Sequence, residues 1–391
     1  MKQLHVKPAF FSLILSLLFL GACTKDPIEP KPEPETEPDP EEPIEESDPG
    51  KYSNGFFLIH EGWFGHGTGS VSFYDYETES LIDSVFQKEN PDKDFEPTSS
   101  TVQYGAIFNG NLYVVSKVNG PVVVADAETL KEVGRIPSRQ GYDWRAFVGV
   151  DENTGLLSST DGIHIVNLQT MGLSGKLYGI SGQTGDMLKT DKYVFALSQS
   201  NGAVAYYADD LSVARRIPGV TTGFAETPNG KVWYTSNEYL ISLDGETLEA
   251  DTVELPYKSN STWFAWYPSP IIASSTEDAI YMQNAPMFGG GKEIYKYVDG
   301  EESSLNKPFI TTPDKQSFYK KNLGYDAKLD QIVTTTVQDG YGANYAVNTL
   351  YFYDAKTGDL VKSMPFNKKV DEAGNDVSYF FTSMFVFHNE D

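Results

Sequence analysis

Five segments of this chain concentrate residues suited to gripping a small molecule: EGWFGHGTG (61–69), SRQGYDWR (138–145), YKSNSTWFAWYP (257–268), MQNAPMFGGG (282–291) and VQDGYGANY (337–345). Four of the five tryptophans, Trp63, Trp144, Trp263 and Trp266, lie in them. Exposed rings are costly to leave bare and offer flat stacking surfaces. Glycine lets backbone approach a ligand, and neutral amides and hydroxyls fix its orientation. The candidate contacts are the rings of Trp63, Phe64, Tyr142, Trp144, Phe288, Tyr341 and Tyr345, with His66 and Arg145 beside them. Asn284, Gln338 and Asn344 are hydrogen-bond partners. Trp263, Phe264 and Trp266 sit near the start of a strand, where an aromatic serves either as a core wedge or as rim. Met282 and Met287 are equally open between ligand contact and loop packing.

Catalytic motifs are lacking. The chain holds no HExxH, GxSxG or Walker loop. His164 reads as a strand residue in GIHIVNL and His60 as a strand end. His66, in a Gly-rich loop beside Trp63, is either a metal or cofactor ligand or a solvated loop residue. Glu61, Asp143 and Asp339 are the loop carboxylates; paired, such acids run hydrolysis or lyase chemistry. DEAGND (371–376) departs from the EF-hand pattern. The reading is a binding protein without catalytic residues, a metal site or a required cofactor.

The elements that must position these loops follow from an internal repeat. NLYVVSKVNGPVVVADAETLKEVGRIP (111–137), KYVFALSQSNGAVAYYADDLSVARRIP (192–218) and KVWYTSNEYLISLDGETLEADTVELP (231–256) each show an apolar run, a polar turn and two further runs. The polar residue ending the third strand recurs as Asp75, Asp126, Asn167, Asp209, Asp244, Asp299 and Asp354. Spacings of this size suit propeller blades, which repeat at about 40–50 residues, and exceed leucine-rich or ankyrin units. Val, Ile, Tyr, Phe and Thr dominate the runs, and Asn109-Gly110 and Asn229-Gly230 mark tight turns. The expected fold is all-β: a seven-bladed propeller of four-stranded antiparallel blades. Its first copy, beginning at Gly55, lacks an innermost strand, which YFFTSMFVF (379–387) supplies from the other terminus.

In such blades the turns joining strands one to two and three to four share one face. The two-to-three loops and the blade-to-blade crossings share the other. The aromatic segments all fall on the second, so one end of the molecule is expected to bind.

Residues 1–22 carry Lys2, Lys7 and the apolar run AFFSLILSLLFLGA, too short for a membrane span, and precede the single cysteine, Cys23. Leu20-Gly21-Ala22-Cys23 resembles a bacterial lipobox, implying cleavage before Cys23 and lipidation of its thiol. Residues 24–50 hold eight prolines, eleven acids and two lysines, so residues 23–50 read as an acidic, semi-rigid stalk. An acidic stretch after a lipidated cysteine resembles surface-export signals of Bacteroidota lipoproteins. The expected propeller, 51–391, has 44 acids against 26 bases, a net charge of −18, which disfavours nucleic acid and anionic membrane as partners.

The repeat at 111–137 resembles the YVTN propellers. The opening NGFFLIHEGWFGHGTGSVSFYDYETESLIDSVFQKENP (54–91), with the lipobox and stalk, is similar to the Bacteroidota surface lipoproteins of the BtuG type. That resemblance implies capture of cobalamin or another corrinoid and its delivery to an outer-membrane TonB-dependent transporter. The aromatic and amide inventory suits a broad ring rimmed with amides, and Arg139, Arg145, Lys258 and Lys292 are the candidate partners for its phosphate. A glycan or peptide binder, or a propeller lyase or lactonase, remain the rival readings.

Overall fold

In each repeat the second strand is apolar on both of its sides, because both sides are packed. Along Gly55–His60, Phe57 and Ile59 join one buried cluster while Phe56 and Leu58 join another. Along Tyr193–Ser198, Val194 and Ala196 face one neighbour, and Tyr193, Phe195 and Leu197 the other. Successive strand residues point to opposite faces, so this division requires a sheet sandwiched between two others. Among the described residues there are seven such clusters, each between successive sheets.

The computed structural model describes residues 50–263, 265–287, 289–320, 322–340, 342–367 and 380–388. Within them the chain forms a seven-bladed β-propeller of four-stranded antiparallel blades. Blade 1 comprises Gly55–His60, Ser70–Asp75 and Ser80–Ile82, with Thr382–Phe387 as its innermost strand. Blades 2 to 6 begin with the innermost strands Thr101–Phe108, Trp144–Gly149, Thr184–Lys189, Ala225–Glu226 and Ile271–Ala273. In blade 7 that strand is in two pieces, Gln316–Phe318 and Gly324–Asp326, both paired with Gln331–Gln338. The signal, Cys23 and the stalk up to residue 49, together with Phe264, Phe288, Tyr341 and DEAGND, lie outside the described residues.

The repeating polar residue has a local task. Asp75, Asp126, Asn167, Asp244 and Asp354 each accept, through a side-chain oxygen, the backbone N–H groups two and three residues ahead. This Asx turn starts the hairpin into the outermost strand. In the fourth copy Asp210, not Asp209, holds the turn, accepting from Ser212 N–H.

Closure of the ring joins the termini as expected, with Phe57 opposite Val386 and Leu58 opposite Phe385. His60 secures the joint. Its Nδ1 lies 3.0 Å from Thr382 Oγ1, its Nε2 lies 2.9 Å from Ser72 Oγ, and Ser72 donates to Asp83 at 3.2 Å. Burial lowers its pKa to about 4 despite the opposing pull of Asp83. The folded protein therefore excludes a proton that the unfolded chain binds below pH 6.5. The stability tied to neutral His60 is present above pH 6.5 and is lost as pH falls through 4. That loss amounts to about 3 kcal/mol. Urea unfolding across this window should show such a fall, and His60→Gln should flatten it relative to wild type.

Candidate functional site

The loop face of the propeller opens into a cavity of about 670 Å³, within the range of roughly 300–1,000 Å³ usual for small-molecule sites. Its walls come from five blades and the long crossing between blades 5 and 6. Glu61 directly follows the second strand of blade 1, and Thr101 begins the first strand of blade 2. Lys117 ends the next strand, Asn111–Lys117, and Val118 follows it. Asp143, Arg145 and Thr160 come from blade 3, Gln183 precedes blade 4, and Lys320 sits in the gap between the two innermost pieces of blade 7.

The crossing carries Trp263, Ala265 and Trp266 across to blades 3 and 4, where Trp266 packs with Ala146, Val194 and Tyr206. Four attachments pin this segment. Lys117 Nζ donates to the carbonyls of Ala265 (3.3 Å) and Trp266 (2.8 Å), Ser269 Oγ donates to Asp186 (2.7 Å), and Gly223 N–H donates to Ser269 Oγ (2.6 Å). The Arg145 guanidinium lies 5.5 Å from the Trp263 ring and 5.7 Å from that of Trp266, a double cation–π contact. Trp263 and Trp266, open between core and rim on sequence grounds, therefore wedge between blades and line the cavity at once.

Charge in the cavity is opposite in sign to the chain as a whole. Three cations and two carboxylates line it, a balance of +1 in a protein of net charge −25. Lys320 contacts both Glu61 oxygens at 2.7 Å, and Gln103 Nε2 donates to Oε1 at 2.7 Å. Burial pushes the Glu61 carboxyl up, but Lys320, Lys117 and these hydrogen bonds outweigh it and hold the group below its ordinary value. It is an anchored carboxylate, poorly suited to donating a proton. Burial lowers Lys117 to about 8 and also lowers Arg145. Asp143 accepts from Val118 N–H at 2.9 Å and stands 3.9 Å from Arg145.

Of the candidate contacts named from sequence, Phe64 and Arg145 line this cavity, as do the loop carboxylates Glu61 and Asp143 and the undecided Trp263 and Trp266. Trp63 is half exposed on the loop above, stacked on His66 at 3.9 Å. Among the described residues no three His, Cys, Asp or Glu side chains are grouped as metal ligands. Trp144 corrects an expectation. It is fully buried between blades 2 and 3, packed against Tyr142 and His164, because as the first residue of an innermost strand its ring turns into the inter-blade core. Tyr142 is half-buried against it, with the Arg139 guanidinium over the Tyr142 ring at 4.5 Å. Asn284 and Gln338 end the second strands of blades 6 and 7, and Asn344 and Tyr345 lie in the short 3-10 helix Gly342–Ala346 of blade 7; all four are outside the cavity lining. Asn284 is tied to Glu293, and Asn344 to the Asp339 carbonyl. Of the proposed phosphate partners, Lys292 is paired with Asp339 at 2.9 Å, and Lys258 and Arg139 are not in the lining.

Lys117, Thr101 and Lys320 were not singled out from sequence. The only signal was a charged or hydroxyl residue at the loop-face end of an innermost or second strand, and surface lysines share that signature.

A family model described as a domain of unknown function, DUF5074, matches residues 54–388. The chain belongs to the DUF5074 family. No curated protein matches its sequence. The DUF5074 domain is similar to a solved quinonprotein alcohol dehydrogenase-like protein from Bacteroides thetaiotaomicron. The TM-score is 0.62 at 17% identity, over 86% of this chain and 79% of that one. It is also similar to a chain of a mitotic checkpoint complex (0.54, 14%, 78% and 90%) and to the computationally designed Ika8 protein (0.50, 13%, 85% and 98%). At these identities the likeness is one of fold.

Two substitutions test the geometry of this DUF5074 cavity. A methyl on Gly185 would lie 2.6 Å from Trp266 Nε1 and 3.3 Å from Trp263. Gly185→Ala should therefore displace the indoles, read as a shifted tryptophan emission with a lowered melting temperature. Glu61→Ala leaves Lys320 facing Lys117 without a counter-charge. It should lower the unfolding free energy by on the order of 3 kcal/mol in chemical denaturation.

Proposed function

We propose that this DUF5074 protein is a non-enzymatic capture protein that holds a small molecule at the loop face of its propeller, with cobalamin or another corrinoid as the first candidate ligand. The observation that carries the reading is the cavity itself, where two indoles and Phe64 offer flat apolar surface beside amide, hydroxyl and cationic groups. A cavity of this volume takes a drug-sized molecule. A corrinoid would place one part of itself inside and lay the rest against the exposed Trp63 and Phe64 loop. The lipobox at Cys23 and the acidic stalk support tethering at the outer-membrane surface, and the sequence resemblance supports hand-over to a TonB-dependent transporter. The cavity carboxylate Glu61, held ionised by Lys320, favours binding over acid catalysis.

Full-length protein incubated with cyanocobalamin and gel-filtered should elute with red colour in stoichiometric amount. Trp263→Ala should weaken that binding about tenfold, consistent with loss of one ring contact of about 1–1.5 kcal/mol. A colourless protein peak rejects the corrinoid. Unchanged affinity in both Trp263→Ala and Phe64→Ala rejects this end of the propeller.

A further inference from the structure

Resting on the capture reading above, we infer that the cavity selects ligands carrying an anionic group, a phosphate or carboxylate, received between Lys117 and Arg145 beside the Trp263 ring. Lys320 is engaged by both oxygens of Glu61, and those two charges cancel. Lys117 is different, because among the described residues its hydrogen bonds are only to the backbone carbonyls of Ala265 and Trp266. An ammonium has three N–H groups, so one remains.

Arg145 donates to the Thr184 carbonyl at 3.2 Å and to Gln183 Oε1 at 2.5 Å. Asp143, at 3.9 Å, is beyond hydrogen-bond reach of it. Arg145 Nε and Thr101 Oγ1 are both buried, and neither has a hydrogen-bond partner among the described residues. Both residues line the cavity. Buried donors without acceptors cost free energy that a bound acceptor would offset, and a charged acceptor answers the excess cation as well.

Two cations, an unpaired hydroxyl and a neighbouring indole together describe a site for a flat ring bearing an anion. The groups facing Lys117 are Glu61, Lys320, Asp143 and Arg145. With Lys117 titrating at about 8, its charge is present at pH 7 and mostly lost by pH 9. Affinity for an anion should therefore fall about tenfold over that interval.

The test follows the tryptophan emission of the full-length chain titrated with adenosine monophosphate, adenosine, adenosine 5′-carboxylate and inorganic phosphate. The monophosphate or the carboxylate should bind at least tenfold more tightly than adenosine, and the tighter of the two identifies the anion. Lys117→Met should abolish both the discrimination and the fall between pH 7 and 9. Thr101→Val, which removes a hydroxyl with no partner among the described residues, should weaken the anionic probe several-fold without changing the melting temperature. Equal binding of adenosine and its anionic forms, no saturable response to any probe, or discrimination surviving in Lys117→Met would overturn the inference. If cyanocobalamin binds Lys117→Met as it binds wild type and the probes are not discriminated, capture stands and the anion site falls. If the anionic probes are preferred while cyanocobalamin stays unbound, the site stands and the corrinoid falls.

Discussion

The second strand of every blade is packed on both faces, and everything else in the molecule depends on that double burial. Leu112 and Val114 face blade 1 while Tyr113 and Val115 face blade 3, and Ile332 and Val333 divide blades 6 and 1 in the same way. An apolar side chain buried this way contributes about 1.5–3 kcal/mol, and no blade could bury both faces alone. The sheets must therefore form a closed ring, and a ring needs its termini joined. Thr382–Phe387 meets that need with the register set by Phe56, Phe57, Leu58 and Ile59. His60 adds a polar clamp at the end of the joint.

The ring closes through its strands, and the crossing between blades 5 and 6 can therefore depart from its own sheets. It leaves its own blades and reaches blades 3 and 4, where Trp263 and Trp266 pack between blades and line the cavity. The segment is held by a lysine, an aspartate and an arginine from three different blades, and the lysine and the arginine also line the cavity. Structural attachment and the proposed ligand recognition share residues here. Lys117 illustrates the overlap: it is a strap for the crossing and a partly desolvated cation facing the cavity.

The electrostatics rest on the same convergence. An acidic propeller repels anions at long range, and ionic screening confines that repulsion to about 10 Å. Inside the cavity, low polarisability and the closeness of Lys117, Arg145 and Lys320 reverse the local sign. A Glu61 carboxylate between two lysines keeps the cluster from being prohibitively costly.

The sequence alone determined the fold and the polarity of the molecule. Apolar runs repeating at blade spacing, Asx turns after the third strand, and a first copy short of one strand all state short-range constraints, and short-range constraints are written contiguously in the chain. The choice of the loop face came from the same periodicity. The members of the cavity were decided only by tertiary structure. Trp144 and Trp263 both belong to Gly- or Ser-containing segments at or ahead of the start of an innermost strand, yet one is turned into an inter-blade core and the other lines a cavity. Lys117 looks in sequence like any solvated lysine ending a strand. What distinguishes these residues is which distant backbone and which opposite charge arrive beside them, and that depends on how a ring of seven blades brings positions over a hundred residues apart to one axis.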